Sequence, residues 1–218
     1  MKGDIKYMNL PNITYKGQFS KCVGSKDDPS DFIVFFKPKE YFYMSDDYTK
    51  FIKDVEKMVR GHEDYAAYKN WLMNTIGLNF CQVSTDIYDT DATIEMHHGP
   101  LFTLFDYISI ILNKKIKNGE KITTFRVADE VLQEHFNLKV QTVMLAVTNH
   151  EAVHNRDIWL NIKQGFGDIA GFIDKYKNYL SDEQKYRIAK YISLCETNDS
   201  FDNFIFDTEK VKKVIRES

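Results

Sequence analysis

Six histidines occur in the 218-residue chain, and four of them fall into two tight groups, His97-His98 and His150-x3-His154. His150 and His154 stand at i and i+4, a spacing that puts two imidazoles on one face of a helix and within reach of one cation. The other pair ends a segment in which Thr93 and Glu95 alternate with Ile94 and Met96, which predicts a strand over 92–97. Neighbouring strand residues point to opposite faces, so both rings serve one site only if the strand ends and twists there. Gly99-Pro100 follows at once and permits that. One imidazole can then bind a metal while the next faces a water. A neutral histidine can take a proton from water near pH 7. A cation on the remaining imidazoles can stabilise charge on a phosphate. Together these would make a metal-binding site with a base beside it. Taken singly, each group also reads as ordinary surface histidines; their order along the chain is the stronger signal.

Glu95-Met96-His97-His98, followed by VMLAVTNHEAVHNR with Thr148 just ahead of His150, resembles the HNH, or ββα-metal, nucleases and above all the colicin-type DNases. The stretches IEMHHGPLFTLFD, NHEAVH and GFIDKYKNYL also resemble bacteriophage proteins described as HNH endonucleases, over roughly half of the chain, Tyr65 to Tyr179. The resemblance implies a phage-encoded, metal-dependent endonuclease acting on DNA in the host cytoplasm. It makes His97, His150 and His154 the metal ligands, His98 the general base, and Glu95 a residue that supports the site. The cofactor is then a divalent ion (Zn, Mg, Mn or Ni), with no small-molecule cofactor. Two departures stand out. Residues 99–149 separate the motif halves, a longer connection than the compact hairpin, and they read as holding two helices. The middle Asn has no clean counterpart; Gln141, Thr142 and Asn149 are the alternatives. A non-catalytic phage binding or structural protein on a degenerate HNH scaffold is the second reading.

His150-Glu151-Ala152-Val153-His154 also spells H-E-x-x-H, the zinc-protease signature, with Glu151 as base. Thr148 is expected to cap the helix, with Thr148-x-x-Glu151 as a capping box worth ~1 kcal/mol, so the motif would open a helix. No third ligand is evident downstream, and the protease reading leaves His97-His98 without a role.

Lys114, Lys115, Lys117, Lys121 and Arg126 cluster after the next helix, and Arg156 lies just past His154. Lys114, Lys115, Arg126 and Arg156 are the candidates for holding nucleic acid. For the lysines a solvated helix end is the plainer alternative.

The elements that must position these residues are helix-rich α+β. Helices are expected over 46–60 and 64–76, the second capped by Gly77 in left-handed geometry. Pro100 is expected to open the next helix, and further helices follow at 127–136, 168–180 and 182–195. Strands are expected at Phe32 to Phe36, 79–83, 92–97, Val140 to Val147 and Trp159 to Ile162. A charged helix should end the chain. Three segments follow: an N-terminal α+β region (1–78), the ββα-metal region (79–180) and a C-terminal helical extension (181–218).

The formal charge of −3 argues against a protein that coats DNA but leaves room for a local cationic cleft. Three scattered cysteines form no C-x-x-C pair, suggesting buried thiols in a reducing compartment. The apolar run near Leu101 to Leu112 is too interrupted to span a membrane. His62 and His135 are assigned to structure, and a protein partner is left open.

Overall fold

The computed structural model describes residues 13–15 and 36–196, with side chains through 193 in the last helix. The loop-like stretch 18–31, the strand expected at Phe32 to Phe36 (apart from Phe36) and the expected C-terminal helix lie outside the described residues.

Among the described residues there are seven α-helices and one two-stranded antiparallel sheet, a helix-rich α+β fold. Two helices come first, α1 (Ser45–Arg60) and α2 (Glu63–Asn74). Phe51, Ile52, Val55 and Val59 form the buried stripe of α1, at the spacing that gives an amphipathic helix one inward face. His62 caps α2 by accepting the Asp64 N–H at 3.2 Å. Gly77 ends the turn after α2 with φ +85°, as expected, and the Leu78 N–H closes back on the Leu72 carbonyl.

Strand β1 (Ile94–His98) pairs antiparallel with β2 (Thr142–Ala146), in the register Ile94↔Ala146 through His98↔Thr142. The connection between them holds α3 (Leu104–Lys117) and α4 (Thr124–Phe136), the two helices expected there. β2 runs without a loop into α5 (Val147–His154). Strand, strand and helix thus form a ββα unit with a helical insertion. Two more helices follow, α6 (Ile169–Tyr176) and α7 (Asp182–Glu196).

α3 is the central helix. Tyr107, Ile108, Ile110, Ile111 and Leu112 are all fully buried. Each such aliphatic burial contributes about 1.5–3 kcal/mol. One apolar cluster runs from Phe42 to Ile192, so the described parts of the three expected segments share a core. No described helix is long and apolar enough to cross a membrane.

Several local expectations are corrected. Pro100 does not open α3; Thr103 caps it instead, accepting the Asp106 N–H while Asp106 accepts the Thr103 N–H at 2.9 Å. That reciprocal pair satisfies two orphan donors, which Pro100 cannot do. Thr148 does not cap α5, and no Thr148–Glu151 capping box forms. Pairing of Ile94 with Ala146 carries β2 up to the helix, and the Val147 N–H goes to the Thr93 carbonyl. The expected strand at 79–83 is reduced to a Phe80–Tyr88 bridge. Gln82 there covers the free edge of β2: its N–H donates to the Met144 carbonyl, and its Oε1 accepts the Met144 N–H at 2.7 Å. Residues Trp159 to Ile162 lead into a 3-10 turn, Ile162–Gln164, because Asn161 and Gln164 cap each other.

Candidate metal centre

Strand parity decides which side chains meet α5. Ile94, Met96 and His98 face one way and are buried. Glu95 and His97 face the other way, toward α5. There His97, His150 and His154 converge, each offering a ring nitrogen, all within 4.8 Å of one another. The ring centroids of His97 lie 5.0 Å from His150 and 5.2 Å from His154. The Nε2 atoms of His150 and His154 are 3.0 Å apart. Two imidazole nitrogens sharing a tetrahedral ion sit about 3.4 Å apart, given metal–nitrogen distances of ~2.1 Å. The observed separations bracket that value, so the donor set fits a divalent ion.

Glu95 completes the set from behind. Its Oε2 lies 2.5 Å from His150 Nδ1. That contact fixes the proton on Nδ1 and leaves the Nε2 lone pair turned toward His154, the usual carboxylate–histidine arrangement around metals. Gly99 matters as well. A Cβ there would stand 2.9 Å from the Cδ2 and Nε2 atoms of His97, so only glycine lets that ring lie against the backbone.

Two of the three rings are pushed toward the neutral form. Burial, then the neighbouring His150 and His154, then Arg60, push His97 down to about 4. Burial, His150 and Arg60 lower His154, with Glu95 opposing them. Neutral rings are the form that binds a cation. Arg60, the last residue of α1, also depresses His98 and His135. Sequence reasoning missed it, because it lies far upstream of both motifs.

His98 does not stand beside the other three, which corrects the placement expected for it. It points into the core, 4% exposed, with its Nε2 2.9 Å from Nε2 of His135. His135 Nδ1 lies 2.8 Å from the Val131 carbonyl and must donate to it. His135 Nε2 is therefore the acceptor, His98 Nε2–H the donor, and His98 Nδ1 the bare nitrogen. That Nδ1 is buried with no hydrogen-bond partner. Tyr65 stacks on the ring at 6.0 Å. Burial, with His135 next in effect, drives His98 well below its ordinary range. The physical reason is parity: a strand that gives His97 to α5 gives His98 to α4.

The residues considered for the missing Asn are also placed. Asn149 docks the start of α5 on the turn before β1, donating to Ser84 Oγ at 2.6 Å and to Cys81 Sγ at 3.1 Å. Gln141 donates from its side chain to the Ile162 carbonyl, and Thr142 pairs with His98.

Beside His97 opens a cleft of about 480 Å³, lined also by Arg156, Trp159, Arg187, Lys190 and Tyr191. Arg156 thus flanks the histidines as expected. Lys114, Lys115 and Arg126 do not; they line a different cavity with Asp129, Glu130 and Lys175. Both lysines are ion-paired there, with Glu130 at 2.7 and 2.6 Å. Burial alone would raise Glu130, but the hydrogen bonds and charges of the two lysines outweigh it and hold the carboxyl below its usual range.

A family model described as bacteriophage G278-like virion protein matches residues 20–217. The chain belongs to that family. The match bears out the bacteriophage origin expected from the stretches IEMHHGPLFTLFD, NHEAVH and GFIDKYKNYL, and it makes the chain a virion protein; it says nothing of nuclease activity. No curated protein matches this virion protein, and no solved structure matches it.

Proposed function

We propose that this virion protein is a metal-binding structural component of the phage particle, in which a divalent ion ties β1 to α5 through His97, His150 and His154. The observation that carries this reading is the convergence of three ring nitrogens within 4.8 Å, backed by Glu95 on His150. An all-imidazole set favours zinc or nickel over magnesium or manganese. Metal analysis of the purified chain and calorimetric titration with each ion test it. One ion per chain is expected, with a higher melting temperature when it is bound. Failure of all four ions to bind would overturn the reading.

A second reading, an HNH-type endonuclease acting on DNA, is supported by the ββα order and by the number of ligands. Structural zinc sites usually close with four protein ligands, whereas three leave a position open. An ion held there would stabilise charge on phosphodiester oxygens. Arg156 and Lys190 line the adjoining cleft and would hold flanking phosphates. His98 is poorly placed as the base, because its bare Nδ1 lies in the core. Plasmid nicking with Mg²⁺, Mn²⁺, Ni²⁺ and Zn²⁺ separates the two readings. Nicking lost in His154→Ala but retained in His98→Ala would establish the enzyme without its expected base. No nicking with any ion would leave the structural role.

A further inference from the structure

We propose that the cleft beside His97 binds an unpaired nucleic-acid strand, with Trp159 as the stacking platform and Arg156 and Lys190 on the phosphates. This goes beyond the metal reading and does not require the ion.

Three observations carry it. The first is the lining. Among the described residues, Arg156, Arg187 and Lys190 face the cleft and no carboxylate does, although the whole chain carries −3. A cationic lining in an acidic protein focuses attraction for a polyanion at one place. The second is which of these cations are committed. Arg187 is held by Asp106 at 2.7 Å and by Glu183 at 3.2 Å, so it builds the wall. Arg156 and Lys190 are exposed and make no ion pair among the described residues. Arg156 is placed by a left-handed turn, φ 68°, that ends α5 just past His154.

The third is the aromatic pair. Trp159 is 41% exposed, which is unusual for so large an apolar side chain. It stacks on Tyr191 of α7 with ring centroids 5.7 Å apart and planes 23° from parallel. The stack fixes the indole from behind. Aromatic platforms between backbone cations are how proteins hold single strands, because every unpaired base offers a flat face. In a duplex those faces are already stacked, which excludes double-stranded DNA as the preferred ligand. DNA and RNA share this chemistry, so the two strand types are arms of the test.

The test uses the full chain in EDTA and fluorescence anisotropy with ten-nucleotide oligothymidylate, oligouridylate, an abasic strand of equal length and a duplex. Oligothymidylate or oligouridylate should bind, and the duplex and abasic strand should bind about tenfold or more weakly, as loss of one stacked base implies. Trp159→Ala should remove that advantage over the abasic strand, and Trp159→Phe should restore much of it. Lys190→Glu should weaken every strand and flatten the salt dependence. Unchanged melting temperatures guard against misfolding, and Trp159 is exposed enough to tolerate change. An abasic strand or an acidic peptide that bound as tightly as oligothymidylate would overturn the proposal, as would absence of binding. Repeating the titration with His154→Ala separates this result from the metal reading: strand binding should persist when metal binding is gone.

Discussion

The cleft beside His97 and the cavity under α3 are both rich in cations, three in the first and four in the second. In the cavity, Lys114 and Lys115 close on Glu130, Lys175 closes on Glu134 at 2.5 Å, and Asp129 lies in the wall. The three lysines and two glutamates pair with one another and hold α3, α4 and α6 together, while Arg126 lies over the Phe36 ring. In the cleft, Arg156 and Lys190 meet no acid among the described residues. The two faces of β1 repeat the contrast with histidines. His97 joins two other rings and a supporting carboxylate beside the open cleft, while His98 pairs with His135 in the core. In each case the residue types are the same and the partners decide the role. A cation or an imidazole carries binding capacity only where the fold turns a free donor or lone pair toward a site that a ligand can enter.

The sharpest way to break this comparison is to move metal binding from one face to the other. His154→Ala or His97→Ala should reduce divalent affinity by well over 100-fold, beyond the 10–100-fold typical of supporting groups. Glu95→Gln should fall within that supporting range. His98→Ala should leave affinity nearly intact and lower the melting temperature instead. Calorimetric titration of the four variants decides it; loss of binding in His98→Ala would erase the distinction between the faces.

Next in size is the cavity. Glu130→Ala leaves two partly buried lysines without their acid and should destabilise the chain by about 3 kcal/mol. Lys190→Glu, in the cleft, should change stability by less than about 0.5 kcal/mol. Urea unfolding of both measures the difference, and equal losses would remove it.

Acid should expose the buried face. Burial holds His135 down to about 4, against 6.5 for the unfolded chain. Between those values the unfolded chain binds more protons, so its stabilising share is complete above about 6.5 and is lost as pH falls toward 4. Urea midpoints at pH 7.5, 6 and 5 without divalent ions should decline in that order. His135→Leu should make the decline shallower; an unaltered slope would show that this ring does not titrate on unfolding.

The smallest effect expected is at Gly99. Alanine there would press on the His97 ring at 2.9 Å. Metal affinity should drop roughly tenfold, as when a supporting group is disturbed, with little change in melting temperature.

Local chemistry was legible from the sequence. His150 and His154 lie on one helix face because i and i+4 do so in any helix, and Glu95 shares a face with His97 because strand side chains alternate. Helices α1 and α2, the two in the β1–β2 connection and the two after residue 168 follow from apolar spacing that survives folding. Gly77 was legible for the same reason, a positive φ being a property of one residue. What the spacing could not say is which face of β1 would be core. That was settled by α4, which brings His135 to His98 from 37 residues away. Capping was misread where competing residues lay close together: Thr103 with Asp106 displaced Pro100, and strand pairing displaced Thr148. Lys114 and Lys115 looked available because Glu130 is remote in sequence, and Trp159 looked like strand because Tyr191 is remote too. Sequence patterns report periodicities, which are local; whether a charge or a ring is left over for a ligand depends on neighbours that only the folded chain supplies.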